Sequence, residues 1–243
     1  MSALDILLPA FVFAGLMVVT HTWLGLHVLA RGIIFVDLAL AQAAALGGAL
    51  LAGAGFSLLR RVANTTTREV VIGAAYVVAT ALSVLALSRS VQGMEALKTL
   101  LNGSILWVSW TEIAFVAAAY AALAALAIAA RRRFHALSFG EGGGKHGWEL
   151  VFFAAFAVVI TLSVGAAGVL LVFACLIIPA FSASLLVGGF GARLALGIAL
   201  GLAGSAGGLA LAYAADLPVG ASVVAALGAL LPVSAFVRGV AAR

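Results

Sequence analysis

The chain has 243 residues, 65% of them apolar, with 13 basic and 8 acidic side chains and a net charge of +5. So apolar a composition excludes a soluble globular domain and places the chain among polytopic membrane proteins. In a soluble protein the positive charge would suggest nucleic acid; here the basic residues fall at the ends of apolar runs and read as topology signals.

A membrane-spanning helix needs about 20 apolar residues, and the chain accommodates eight. They are Leu4–Leu29, Ile33–Leu59, Val70–Ser88, Glu112–Ala130, Trp148–Val164, Val169–Val187, Leu194–Ala214 and Val219–Val237. The expected fold is therefore all-α, a single polytopic transmembrane bundle over residues 1–243. The start, MSALDILLPAF, has no Lys or Arg ahead of its apolar run, so the first span is expected to be retained and not removed as a signal.

His21 and His27 fall in the half of the first span expected to lie outermost. Thr20, Trp23 and His27 share one helical face, with His21 off it. Each histidine has two readings: a ring hydrogen-bonded near the interface, or a ligand beside Asp37 in a zinc- or manganese-type site. The second span carries Asp37 and Gln42 inside GIIFVDLALAQAAALGGALLAG. An aspartate in mid-membrane costs about 2.5–3.5 kcal/mol on insertion scales and marks a functional position by default. The alternative is an interfacial Asp37 paired with Arg31. Five residues apart, Asp37 and Gln42 lie roughly 140° apart on an ideal helix, so they line one narrow pore only if the helix is locally broken. Ala41, Ala45 and Ala49 give the same span a small-residue stripe.

Gly93 to Trp110 is too short and polar to cross unaided and is expected on the outer face as an amphipathic or re-entrant segment. The loop RRRFHALSFGEGGGKHG, Arg131 to Gly147, is glycine-rich without being a phosphate-binding loop. That motif needs a glycine where Phe139 stands and a Ser or Thr where His146 stands, so this chain is not expected to bind ATP. The fifth and sixth spans are divided at Gly165-Ala166-Ala167-Gly168, where glycine permits a tight turn.

Cys175, the one cysteine, can form no internal disulfide. It reads as packing, four residues ahead of a Pro179 that kinks the sixth span and frees a carbonyl. Gly197, Gly201, Gly204 and Gly208 have the spacing that lets helix backbones approach closely in lipid. Asp216, in DLPVG, reads as a turn or cap. With the N-terminus inside, inner loops hold Arg60, Arg61, Arg68, Arg131, Arg132, Arg133, Lys145, Arg193, Arg238 and Arg243, and outer loops only Arg31, Arg89 and Lys98. Ten against three predicts both termini in the cytoplasm. Trp23, Trp107, Trp110 and Trp148 fall near the expected interfaces.

Five stretches in order resemble the permease subunit of bacterial ABC importers for zinc, manganese and related metals. They are LGLHVLARGIIFVDLALAQAAALG (Leu24 to Gly47), REVVIGAAYVVATALSVLALS (Arg68 to Ser88), EALKTLLNGSILWVSWTEI (Glu95 to Ile113), VGAAGVLLVFACLIIPAFSASLL (Val164 to Leu186) and DLPVGASVVAALGALL (Asp216 to Leu231). The resemblance implies a multi-pass protein of the bacterial inner membrane that is not itself an enzyme. It implies a permease homodimer in membrane lipid, separate ATPase subunits inside and an extracytoplasmic metal-binding protein outside. No permanently bound cofactor is implied, only a transported divalent metal ion, zinc first, with manganese or iron as the others.

Many relatives read Gly-Asp-x-x-x-His-Ala in the second helix. Gln42 stands where that histidine would be, and Asp37 is one residue from the family aspartate; another branch pairs Asp with Gln. Gln is the weaker zinc ligand. The metal-path candidates are thus Asp37, Gln42, His27 and His21. Relatives also carry a further hydrophobic stretch between the regions matching Gly55 and Arg68, and a short Asp-Pro-Glu-like helix in the inner loop. Here FSLLRRVANTTT and SFGEGGGKHG replace them, and the inner loop is expected to lack that helix. The rival readings are a permease for a chelated metal or vitamin, and a non-transporting membrane scaffold.

Overall fold

A computed structural model describes residues 3–32, 105–139 and 146–241. Within them the chain is helical throughout: α1 (Ala3–Arg31), a 3-10 turn (Ile105–Trp107), α2 (Trp110–Ala129), α3 (Arg131–Phe139), α4 (His146–Ala167), α5 (Val169–Leu186), α6 (Phe190–Ala215) and α7 (Val219–Ala241). All but α3 are long and apolar enough to cross a membrane. These six correspond to six of the eight expected spans. The other two, with Asp37, Gln42 and the Ala41-Ala45-Ala49 stripe, lie outside the described residues.

Local chemistry sets the helix boundaries. Ser109 caps α2: its hydroxyl accepts from the Glu112 N–H at 3.2 Å, and the Glu112 carboxylate accepts from the Ser109 N–H at 2.8 Å. This reciprocal box satisfies two of the four amide groups that a helix start leaves without partners. Of the segment Gly93 to Trp110, only the part from Ile105 is described, a 3-10 turn leading into this cap. The expected break between the fifth and sixth spans is a single residue. Gly168, at φ 79° and ψ 158°, joins α4 directly to α5 in a conformation that disfavours any side chain. Asp216 ends α6 in the left-handed region, φ 51° and ψ 47°, a turn conformation that aspartate tolerates better than most residues.

The tightest packing joins α1, α5, α6 and α7. Gly197 and Gly201 of α6 are closed in by Thr22 and Val18 of α1 and by Pro179 of α5, while Gly204 and Gly208 face Leu227 and Val223 of α7. The four-residue spacing thus serves two partners, one pair of glycines for each. Gly25 of α1 sits directly on the Leu176 carbonyl of α5. Backbones this close gain dispersion contacts that lipid cannot supply in the same way.

One part of the expected topology is corrected. The His27 ring bonds Ser138 of α3 at 2.7 Å and lies 5.3 Å from the Phe190 ring at the start of α6. The C-terminal end of α1 therefore shares one end of the bundle with α3 and with the α5–α6 loop. Counting from an inside N-terminus had put Arg31 and His27 outside and those loops inside. In the structure α1 and α7 both run antiparallel to α6, with Thr22 and Val18 against Gly197 and Gly201 and with Leu227 and Val223 against Gly204 and Gly208. All six Lys and Arg among the described residues, Arg31, Arg131, Arg132, Arg133, Arg193 and Arg238, fall at the His27 end. The positive-inside rule assigns it to the cytoplasm. Exposed Trp107 and Trp110 mark the other end.

The inner loop also differs from expectation. A nine-residue helix, α3, forms from Arg131 to Phe139, just ahead of the glycine run. Its Phe134 is buried, and Arg133 stacks on Trp148 of α4 with 4.8 Å from guanidinium carbon to ring centre.

Two outcomes follow from this packing. Cysteines placed at Gly32 and Gly188 should react with a membrane-impermeant thiol reagent only in inverted vesicles, and one at Leu217 only in intact cells; labelling at position 32 in intact cells would restore the arrangement expected from charge counting. Gly208→Ala should destabilise the detergent-solubilised protein by about 1–3 kcal/mol, because the new methyl meets the Val223 backbone. Gly207→Ala, which meets nothing within 4 Å, should leave the melting temperature unchanged.

Candidate translocation site

α1 runs through the middle of the described bundle, with both of its histidines buried, His21 at 0% and His27 at 2% exposure. Six residues apart, they point roughly 120° from each other around the helix. They therefore meet different neighbours.

His27 belongs to the basic end. Ser138 lies 2.7 Å from its Nδ1 and accepts from Arg31 Nε at 2.9 Å, so one hydroxyl can take a hydrogen from arginine and give its own to the imidazole. Rings from four helices surround it: Trp23 at 4.4 Å, Phe190 at 5.3 Å, Phe139 at 5.7 Å and Phe152 at 6.0 Å between centroids. The Arg31 guanidinium stands 3.8 Å over the Phe152 ring, a cation–π contact that helps hold the charge at the bundle's edge. A cavity of about 480 Å³ reaches His27 from this end, lined also by Trp23, Arg131, Arg132, His135 and Phe190. The aromatic collar narrows the inner end, and the imidazole is its polar element. A second cavity of about 390 Å³, between α1, α2, α4 and α6, is lined almost wholly by apolar side chains such as Leu24, Leu123 and Val159. It offers an ion nothing to replace water.

His21 lies deeper. Its Nδ1 donates to the Met17 carbonyl at 2.9 Å, and its Nε2 is buried without a hydrogen-bond partner. The Tyr120 ring of α2 is 6.2 Å away. The Tyr120 hydroxyl bonds the Ser163 hydroxyl of α4, which donates to the Val159 carbonyl at 2.6 Å. Cys175 of α5 is fully buried. Tyr120, Ser163 and Ser138 carry no sequence signal of a role: each is a single hydroxyl in or beside an apolar run. Only the folded contacts single them out.

Of the four expected path residues, His21 and His27 are thus placed, at two levels of one helix, while Asp37 and Gln42 lie outside the described residues. Among the described residues no group of three or more His, Cys, Asp and Glu is arranged around a metal-sized site.

Comparison with known proteins agrees with the architecture. The chain aligns structurally with PsaBC from Streptococcus pneumoniae, solved in complex with Fab, at a TM-score of 0.78 and 20% identity over 94% of this chain and 90% of that one. It aligns with a transporter assigned to the metal-chelate type of ABC transporter, in an inward-facing conformation, at a TM-score of 0.73 and 16% identity over 94% and 85%. At these identities the likeness establishes a common fold. No curated protein matches the sequence. Residues 30–238 match the ABC 3 transport family, and with most of its length inside that match the chain, a polytopic membrane protein, belongs to this family.

Proposed function

We propose that the chain is the permease subunit of an ABC importer that moves a divalent metal ion, zinc first and manganese or iron next, across the bacterial inner membrane. Family membership over residues 30–238 carries the transport part of this reading. The metal part is supported by the imidazoles of His21 and His27 buried along α1, together with Asp37 and Gln42 of the second span. Two copies would form the path, ATPase subunits would supply the energy from inside, and an extracytoplasmic binding protein would deliver the ion. Metal would pass Asp37 and Gln42 of the second span and the His27 collar at the inner end, held weakly at each step so that it is released. A permease for a chelated metal is the second reading, favoured by the likeness to a transporter assigned to the metal-chelate type; its path would be wider and less charged.

Asp37→Ala should abolish or severely reduce uptake of radioactive zinc in cells lacking other importers while the protein remains inserted, since losing an intramembrane charge eases insertion. Full uptake by the variant would remove Asp37 from the mechanism; uptake of a chelate alone would favour the second reading.

Energy must arrive from another chain, and α3 presents exposed Arg132 and His135 at the basic end. Arg133 also braces α3 on Trp148, so Arg132→Glu is the cleaner test of the surface. It should weaken co-purification with an ATPase from the same genome while leaving thermal stability unchanged. Failure of the wild-type protein to bind any such ATPase would favour a membrane scaffold over a transporter.

A further inference from the structure

The apolar cavity between α1, α2, α4 and α6 has no part in an ion path, and the cavity next to it is basic. The two meet, for Trp23 and Arg131 line both. On one side of that junction the walls are apolar, with Leu24, Leu126, Ala127 and Ile198 among them. On α4 this lining runs from Phe152 to Val159, about 10 Å of depth at the helical rise per residue. That depth fits within the roughly 15 Å of hydrocarbon in one leaflet. Two of the wall residues, Ile128 and Val19, are 69% and 48% exposed, so the space opens outward from the bundle. On the other side of the junction lie Arg132 and His135 of α3, and no described Asp or Glu lines either cavity.

Packed interiors leave few voids of about 390 Å³, and an apolar one accepts an apolar guest. An acyl chain already surrounded by hydrocarbon gains no release from water there. Its gain is dispersion contact with walls from four helices at once. The guanidinium at the junction supplies what the walls cannot, a fork of donors matched to phosphate oxygens. We propose that the joined cavities hold one anionic phospholipid of the cytoplasmic leaflet, its phosphodiester on Arg131 and Arg132 and one acyl chain in the apolar cavity. Basic pockets between membrane helices on the cytoplasmic side suit such headgroups, and the positive-inside rule assigns this end to that side. Trp23 stands at the junction of head and tail, the level at which indole rings favour a membrane interface. Of the described arginines only Arg131 lines both cavities, which separates this site from the ATPase surface proposed on Arg132. The site does not rest on the transport reading.

The test supplies the full-length protein, in mild detergent, with phosphatidylglycerol or phosphatidylcholine bearing the same acyl chains. Retained lipid is counted by native mass spectrometry, and thermal unfolding is followed in parallel. The wild type should keep phosphatidylglycerol roughly tenfold in preference to phosphatidylcholine, and phosphatidylglycerol should raise its melting temperature by binding the folded state. Arg131→Gln should cut that preference about fivefold, the worth of one arginine at an anionic membrane surface. Ala127→Phe, which fills the apolar cavity, should lower retention of both lipids; if it fails to fold, the wild type and Arg131→Gln still decide. Equal retention of the two lipids by the wild type, or a preference unchanged in Arg131→Gln, overturns the proposal. An equal rise in melting temperature from glycerol phosphate also overturns it, leaving a site for a free anion. Loss of self-association in Ala127→Phe with lipid retention unchanged would give the groove to a second copy of the chain and overturn it too.

Discussion

Close approach of helix backbones is the constraint on which the rest of this bundle depends. In an apolar medium, Leu against Leu gains little over Leu against lipid, so cohesion comes from contacts that side chains would otherwise hold apart. Gly25, Gly197, Gly201, Gly204 and Gly208 supply those contacts, and they do so around α1 and α6 in particular. Because α1 is gripped on two sides, both of its histidines are buried. Each buried polar atom then has to be satisfied within the chain. A partnerless one costs about 1–3 kcal/mol, which makes His21 Nε2 an expense that close packing alone does not explain.

The membrane character, the six described spans and the glycine stripe were legible in the sequence because each rests on a local pattern: run length, composition or four-residue spacing. The break at Gly168 and the turn at Asp216 were legible for the same reason. The end at which Arg31 and His27 lie was not. Charge counting relates one loop to another only through the number of crossings assumed between them, and every later loop inherits that number. Arg31 shows the failure: it entered the tally as an outer charge, yet it bonds Ser138 among the arginines of the inner end. α3 was missed because the glycines after Phe139 coloured the reading of the whole loop, although Arg131 to Phe139 contains neither glycine nor proline. The Ser109–Glu112 cap has a sequence signature, whereas the Tyr120–Ser163 bond joins residues 43 positions apart and has none.

The inner end combines two properties that seldom coincide. It is the most basic part of the described chain and also its most aromatic, with Trp23, Phe134, Phe139, Trp148, Phe152 and Phe190 in edge or tilted contact around His27 and Arg31. Quadrupoles of ring faces offset positive charge, so arginines can stand at the lip of an apolar passage without drawing water deep into it. On the proposed import reading, a divalent cation leaving by this route would meet like charge at the mouth. That repulsion would shorten its stay at the mouth and discourage re-entry.

Gly168 has a mechanical consequence. On one side of it, α5 packs with α1, α6 and α7 into a stiff block; on the other, α4 with α2 and α3 touches that block far more sparsely. A joint one residue long cannot absorb slack as a flexible loop would, but it can act as a swivel, since glycine reaches neighbouring backbone conformations with little steric penalty. Gly168 thus leaves the angle between α4 and α5 open to change at little backbone cost.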